Sequence, residues 1–198
     1  NSKALKTWWA EIDGWRKIRC LDYAADSKVI KPQYALERLE ALTKNHDRYI
    51  TTEVGQHQMW ASQYWRFEKP YTWVNSGGLG TMGFSVPAAI GAKVGQPDKT
   101  VWAIDGDGCF QMTMQEFGTA AQYGANIVVI ISNNGIYGTI RMHQEQHYPG
   151  RVSGTVMHNP QFAALAQSYG GHGEVVLRDC FVAEDALLER LDFVAAGR

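Results

Sequence analysis

The sequence predicts an α/β domain, a doubly wound and mostly parallel sheet with helices on both faces. Three observations carry this. Residues 101–105 and 127–131 are short strand-like runs separated by a segment long enough for one helix, so they read as strand, helix, strand. Each run ends in turn residues, Gly106-Asp107-Gly108 after the first and Ser132-Asn133-Asn134-Gly135 after the second. A third β-rich run, 49–54, ends the same way in Gly55-Gln56-His57 and opens a helix. In a parallel sheet these turns share the carboxyl edge, where doubly wound folds bind ligands.

The elements follow in order. Trp8, Trp9, Ile12 and Trp15 recur at helical spacing in a polar segment, which predicts a helix with one buried face. Residues 20–31 read as a linker or arm, so 1–31 make an N-terminal helix and arm. Pro32 opens a helix to residue 43, with Leu36, Leu39 and Leu42 inward and Glu37, Arg38 and Glu40 outward. Met59, Trp60 and Trp65 read as packing residues. Gly77, Gly78, Gly80 and Gly83 make a loop that admits close backbone approach to a flat ligand. It is not a dinucleotide fingerprint, which would need G-x-G-x-x-G and a following acidic residue. Residues 86–94 read as a helix, where Ala88, Ala89 and Ala92 permit tight packing on the sheet, and 110–123 as the next helix. Loop is expected at 149–159, helix at 160–169 and a turn at 170–173. Residues 179–198, with Leu187, Leu188 and Leu191, read as an atypical helical tail without a final strand. That leaves a central domain over 32–178, whose strand-end turns would hold the ligand.

Composition narrows the function classes. A chain of 198 residues, 45% hydrophobic and 20% charged, suits one domain with a real core. Net charge is −1 with Lys and Arg scattered, which argues against nucleic acid. The longest apolar run, 127–131, is too short to span a bilayer, and no signal-peptide core stands at the N-terminus. Cys20, Cys109 and Cys180 form neither a disulfide framework nor a zinc pattern, so a reducing cytoplasm is expected.

The chemistry that the two turns suit is a magnesium ion carrying a diphosphate. Magnesium takes hard oxygen ligands, usually a carboxylate or two plus phosphate oxygens. Asp107 supplies charge and an Asn side chain a neutral carbonyl oxygen, while Gly106 and Gly108 let backbone N–H groups approach phosphate. Either turn alone is most simply a turn. Together, with 24 residues between Gly108 and Asn133 and a βαβ unit filling the gap, they favour a ligand site. Gln56 and His57 are either phosphate donors or solvated first-turn residues when read from the residues alone.

Gly-Asp-Gly, this spacing and Asn-Asn resemble the signature of thiamine-diphosphate enzymes. The likeness widens to acetohydroxyacid (acetolactate) synthases through Thr52-Glu53-Val54-Gly55-Gln56-His57-Gln58-Met59-Trp60 and Ser76-Gly77-Gly78-Leu79-Gly80-Thr81-Met82-Gly83-Phe84. It covers about residues 8–174 and corresponds to that family's C-terminal, diphosphate-binding domain. The resemblance implies magnesium ligands Asp107, Asn134 and the Ile136 carbonyl, with Asn133 holding the turn. It implies a cofactor shell of Val54, Gly55, Gln56, His57, Gly80, Met82, Gly106, Asp107, Gly108, Cys109, Asn134, Ile136, Tyr137 and Gly138. Within it, Gln56 and His57 contact diphosphate, the Gly80 carbonyl and Met82 N–H meet the pyrimidine, and the Met82 side chain wedges the cofactor into its bent form. Met82 by itself reads equally as a core methionine.

The implied activity is decarboxylation of pyruvate and addition of its two-carbon unit to a second 2-keto acid, giving acetolactate-type products. No catalytic residue is expected in this chain. The activating Glu is expected on the pyrimidine-binding domain of a second subunit of a homo-oligomer, and neither Glu53 nor Glu116 stands in its place. FAD is a further cofactor that the resemblance allows in the full-length enzyme. The family's Trp after the Asn-Asn loop is replaced by His143, a candidate substrate-facing residue. His143 and His147 also stand at zinc spacing, with no third ligand nearby. The departure at His143 keeps open another thiamine-diphosphate lyase or decarboxylase, including one acting on acyl-CoA substrates. A non-catalytic cofactor-binding fragment is the third reading.

Overall fold

The computed structural model describes residues 2–24 and 30–171, and the backbone at 172–173 and 194–196. Helices α1 (Ser2–Arg16) and α2 (Pro32–Thr43) lead into strand β1 (Arg48–Thr52), helix α3 (Gln56–Tyr64) and strand β2 (Trp73–Asn75). Helix α4 (Ser85–Gly95), strand β3 (Thr100–Gly106), helices α5 (Asp107–Thr113) and α6 (Glu116–Tyr123) and strand β4 (Ile127–Ser132) follow. Helices α7 (Gly138–His147) and α8 (Phe162–Ser168) precede the short strands β5 (His172–Gly173) and β6 (Val194–Ala196).

The sheet order is β2-β1-β3-β4-β6-β5, with the first four strands parallel and β6 antiparallel to both neighbours. The doubly wound, mostly parallel α/β architecture is thus the one expected. Alternation along the strands builds a core on each face. Val101 and Ala103 of β3 and Ile127 and Val129 of β4 join Val86, Phe110, Phe117 and Phe162 on one side. Ile50 and Ile104 join Leu36, Leu39, Ala61 and Trp65 on the other. Register pairs Thr52 with Ile104 and Gly106 with Ser132, so the three turns emerge side by side.

Several elements differ from their expectation. The helix expected over 110–123 is two, because the chain breaks at Met114-Gln115 between α5 and α6. Strand β2 has no signal in the sequence, since three residues are too few to show a period. On α2, Leu36 and Leu39 are buried but Leu42 is 49% exposed, while Glu40 turns to a half-buried ion pair with Arg48. Helix α1 forms where the Trp spacing placed it, yet it has no buried residue, and Trp8, Trp9 and Trp15 are each about half exposed. Its apolar positions pack on each other instead, Trp8 against Trp15 edge to face at 5.4 Å. Residues 21–24 of the expected arm lie along the helices, where Tyr64 donates to the Leu21 carbonyl and Tyr23 to Glu37.

At the end of the chain, the expected turn at 170–173 contains β5, and the tail read as wholly helical contains β6. β6 pairs with β4, with Ile127 opposite Ala196 and Val129 opposite Val194. An open β4 edge offers ladder hydrogen bonds that local helical periodicity does not reveal. The remainder of the expected helical tail, including Leu187, Leu188 and Leu191, lies outside the described residues, as does Cys180.

Candidate cofactor site

A cavity of about 300 Å³ opens at the carboxyl edge where β1, β3 and β4 end. Its wall includes every residue expected to hold the cofactor except Gly80, which is exposed on the adjoining loop at φ +70°. That positive φ is why the position suits glycine.

Asp107 begins α5 and is buried. The Gly135 N–H and the Asn159 amide donate to its Oδ2 at 2.8 and 2.6 Å. Both bonds go to one oxygen, so Oδ1 is the oxygen left for a cation. Across the cavity, the Asn134 Oδ1 accepts the Ile136 N–H at 3.0 Å, which fixes the turn and leaves a lone pair on the same oxygen. The Asn133 Oδ1 accepts from Asn159 at 2.7 Å, so Asn133 holds the turn while Asn134 faces the cavity.

His57 lies under the strand ends with its ring against two glycines. A Cβ on Gly106 would stand 2.8 Å from the His57 Cε1, and one on Gly55 at 3.1 Å. Glycine at both positions is what makes room for the imidazole. Burial pushes the His57 pKa down to about 4, so the ring is neutral near pH 7, and its buried Nε2 has no partner among the described residues. Gln56 takes its place through Gly138, where a Cβ would meet the Gln56 Oε1 at 2.5 Å. A cavity with a half-satisfied carboxylate, facing amide oxygens and an orphaned neutral imidazole fits a magnesium diphosphate by donor chemistry.

Behind the cavity lies an acid pair. Glu53 is fully buried at the end of β1 and accepts the Gly83 and Ser85 N–H groups at 2.8 and 2.7 Å. It thereby holds the end of the glycine loop that carries Gly80 and Met82. Its pKa is raised because burial outweighs the backbone N–H bonds that oppose it. Asp105 is completely enclosed, and its carboxyl is held well above the usual range, first by burial and then by Glu53 beside it. Cys109 donates to the Val54 carbonyl at 3.3 Å, and burial pushes its thiol up to about 12, with Glu53 and Asp105 adding to the rise.

Some residues stand apart from their sequence reading. His143 is exposed on α7 and outside the cavity wall; the same helix presents Thr139 and Ile140 there, one turn nearer its start. The His143 carbonyl bonds the His147 Nδ1 at 2.9 Å, and among the described residues no cluster of three or more His, Cys, Asp or Glu could hold a metal. Met59, read as a packing residue, lines the cavity; Trp60 lines it too but also packs on the second core, and Trp65 is buried in that core with Arg48 over its ring, so both tryptophans pack as expected. Glu116 sits at the start of α6 and accepts from Thr119. Asn159 had no signal at all: its Asn-Pro context reads as a turn and nothing local links it to Asp107.

A strand-turn-helix cavity at the carboxyl edge of a doubly wound sheet is what the fold and site define, and the chain belongs to the thiamine pyrophosphate enzymes. Residues 53–192 match the family described as "Thiamine pyrophosphate enzyme, C-terminal TPP binding domain". More particularly, the chain is similar to acetolactate synthase large subunits. It is 44% identical to the acetolactate synthase isozyme 3 large subunit of Escherichia coli (strain K12), over 98% of this chain and 34% of that protein. It is 46% identical to the acetolactate synthase large subunit of Haemophilus influenzae, over 85% of this chain and 30% of that one. Against the acetolactate synthase of Mycobacterium leprae it is 48% identical, over 82% and 27% respectively. The chain therefore spans about a third of the length of the curated relatives it matches. Among the described residues no helix is long and apolar enough to cross a membrane.

Proposed function

We propose that this domain supplies the magnesium–diphosphate half of the cofactor site of an acetolactate-forming carboligase. The substrates are pyruvate and a second 2-keto acid. The observation that carries the reading is the Asp107 carboxylate, tied by one oxygen and facing Asn134 across a single cavity. Similarity to acetolactate synthase large subunits supports the substrate class.

Bound thiamine diphosphate supplies the electron sink for loss of CO₂ and for carbon–carbon bond formation. The chain's own residues bind and orient. Asp107 contributes the charge that holds magnesium, and Asn134 and the Ile136 carbonyl contribute neutral oxygens. Gln56 and the neutral His57 are the hydrogen-bond donors suited to phosphate oxygens. Val54, Met82, Trp60 and Ile140 supply apolar side chains to the cavity lining. Among the described residues, the two buried acids behind the cavity are otherwise engaged: Glu53 accepts backbone N–H groups and Asp105 is enclosed. By resemblance to the family, the activating Glu is supplied by a pyrimidine-binding domain on a second subunit, in a homo-oligomer. Cys20 and Cys109, both free, are compatible with a cytoplasmic setting.

The test uses the full-length protein with thiamine diphosphate, magnesium and pyruvate. Acetolactate is the expected product. Asp107→Ala should weaken magnesium-dependent cofactor binding by on the order of 2–4 kcal/mol, about 30- to 900-fold, as for loss of a charged partner. A different product overturns the carboligase assignment, and unchanged cofactor affinity in the variant overturns the metal site.

A further inference from the structure

Asn159 uses its whole side chain on the metal turn. Its Nδ2 donates to the Asp107 Oδ2 at 2.6 Å and to the Asn133 Oδ1 at 2.7 Å. Its Oδ1 accepts from Gln111 Nε2 at 3.0 Å, and the same Gln111 nitrogen donates to the Asp107 carbonyl at 3.1 Å. Three segments meet at this one amide: helix α5, the turn after β4, and the loop before α8. The loop is knitted to the turn by backbone as well. Met157 N–H donates to the Gly135 carbonyl at 2.8 Å, and Tyr137 N–H to the Thr155 carbonyl at 2.9 Å. Thr155 is buried.

The consequence for Asp107 is directional. A lone carboxylate rotates about its Cβ–Cγ bond and offers either oxygen. With two neutral donors on Oδ2, that oxygen is occupied and Oδ1 is aimed. A second carboxylate would repel Asp107 at this place, and an apolar group would take away the Asn133 Oδ1 donor and leave the Asp107 Oδ2 with the Gly135 N–H alone. An amide whose oxygen is held by Gln111 presents its nitrogen to both.

We propose that Asn159 is a positioning residue for the cation ligand Asp107, and that through it the 149–159 loop sets the affinity of the cofactor's divalent ion. This rests on the magnesium–diphosphate reading of the site. The effect expected for removing such an outer partner is a loss of about 10- to 100-fold in metal affinity.

The test is Asn159→Leu in the full-length protein, with Mn²⁺ binding followed by electron paramagnetic resonance in the presence of thiamine diphosphate. Mg²⁺ half-saturation is read separately from tryptophan fluorescence, since Trp60 lines the cavity. The expected result is a Mn²⁺ and Mg²⁺ requirement raised at least about tenfold. Gln111→Met, which frees the Asn159 oxygen but keeps its donors, should shift the requirement the same way by less. It decides the matter if Asn159→Leu does not fold. Wild-type metal affinity in both variants overturns the proposal, as does a fall in stability without a change in metal requirement. A wild-type protein that binds thiamine diphosphate without any metal overturns the underlying reading together with this one.

Discussion

Replacing His57 by glutamine changes how stability depends on pH. In the folded chain the imidazole is 8% exposed, and burial lowers its pKa to about 4. In the unfolded chain it titrates at about 6.5. The folded pKa is the depressed one, so between about pH 6.5 and 4 the unfolded state binds the extra proton. Stability from this group is complete above about pH 6.5 and is lost as pH falls toward 4. About 2.5 units at about 1.4 kcal/mol each gives an upper limit of roughly 3 kcal/mol. The acid pair acts with the opposite sign. Glu53 and Asp105 have raised pKa values, so their share of stability falls as pH rises above the unfolded carboxylate range, about pH 4. Comparing His57→Gln with wild type cancels that contribution. Urea denaturation of both proteins at half-unit steps from pH 7.5 to 4.5 should show the wild type losing about 2–3 kcal/mol more than the variant. Parallel curves would refute the claim that His57 is held neutral by burial.

Two further outcomes test the surroundings of the cavity. Glu53→Ala strands the buried Gly83 and Ser85 N–H groups, at about 1–3 kcal/mol each, so denaturation should show a loss of about 2–6 kcal/mol; a loss below about 1 kcal/mol would mean that the clamp is idle. Gly106→Ala leaves an ordinary backbone at φ −96°, so its cost is steric, a Cβ at 2.8 Å from the His57 ring, and the ring must move. The His57 pKa read by NMR should then climb from about 4 toward about 6.5, and a value left near 4 would show that the ring can yield without leaving its pocket.

What was legible in the chain was what neighbours in sequence decide. Residues 101–105 and 127–131 are short strand-like runs closed by turn residues, and β3 and β4 lie there. Strand ends in a parallel sheet share an edge, so Asp107 and Asn134 could be brought together on paper, and both line the cavity. The helix of 32–43 was legible from Pro32 and its leucines, but which leucine faces the core was not: Leu42 points outward because burial depends on what covers a face. Helix α1 makes the same point, since its Trp spacing predicts a helix and an apolar face but not a cover for it.

The tertiary structure alone decided the rest. Asn159 reaches Asp107 across 52 residues, and the glycine loop hangs on Glu53 across 30 and 32. Such contacts join residues whose local context is an ordinary turn or strand end. His143 shows the converse, a residue singled out by its place in the sequence that the helix carries past the cavity. Periodicity and turn chemistry report torsion angles and local hydrogen bonds, which nearby residues set. Side-chain partners, burial and the pKa values that follow from them depend on which distant groups exclude water, and the packed chain sets that.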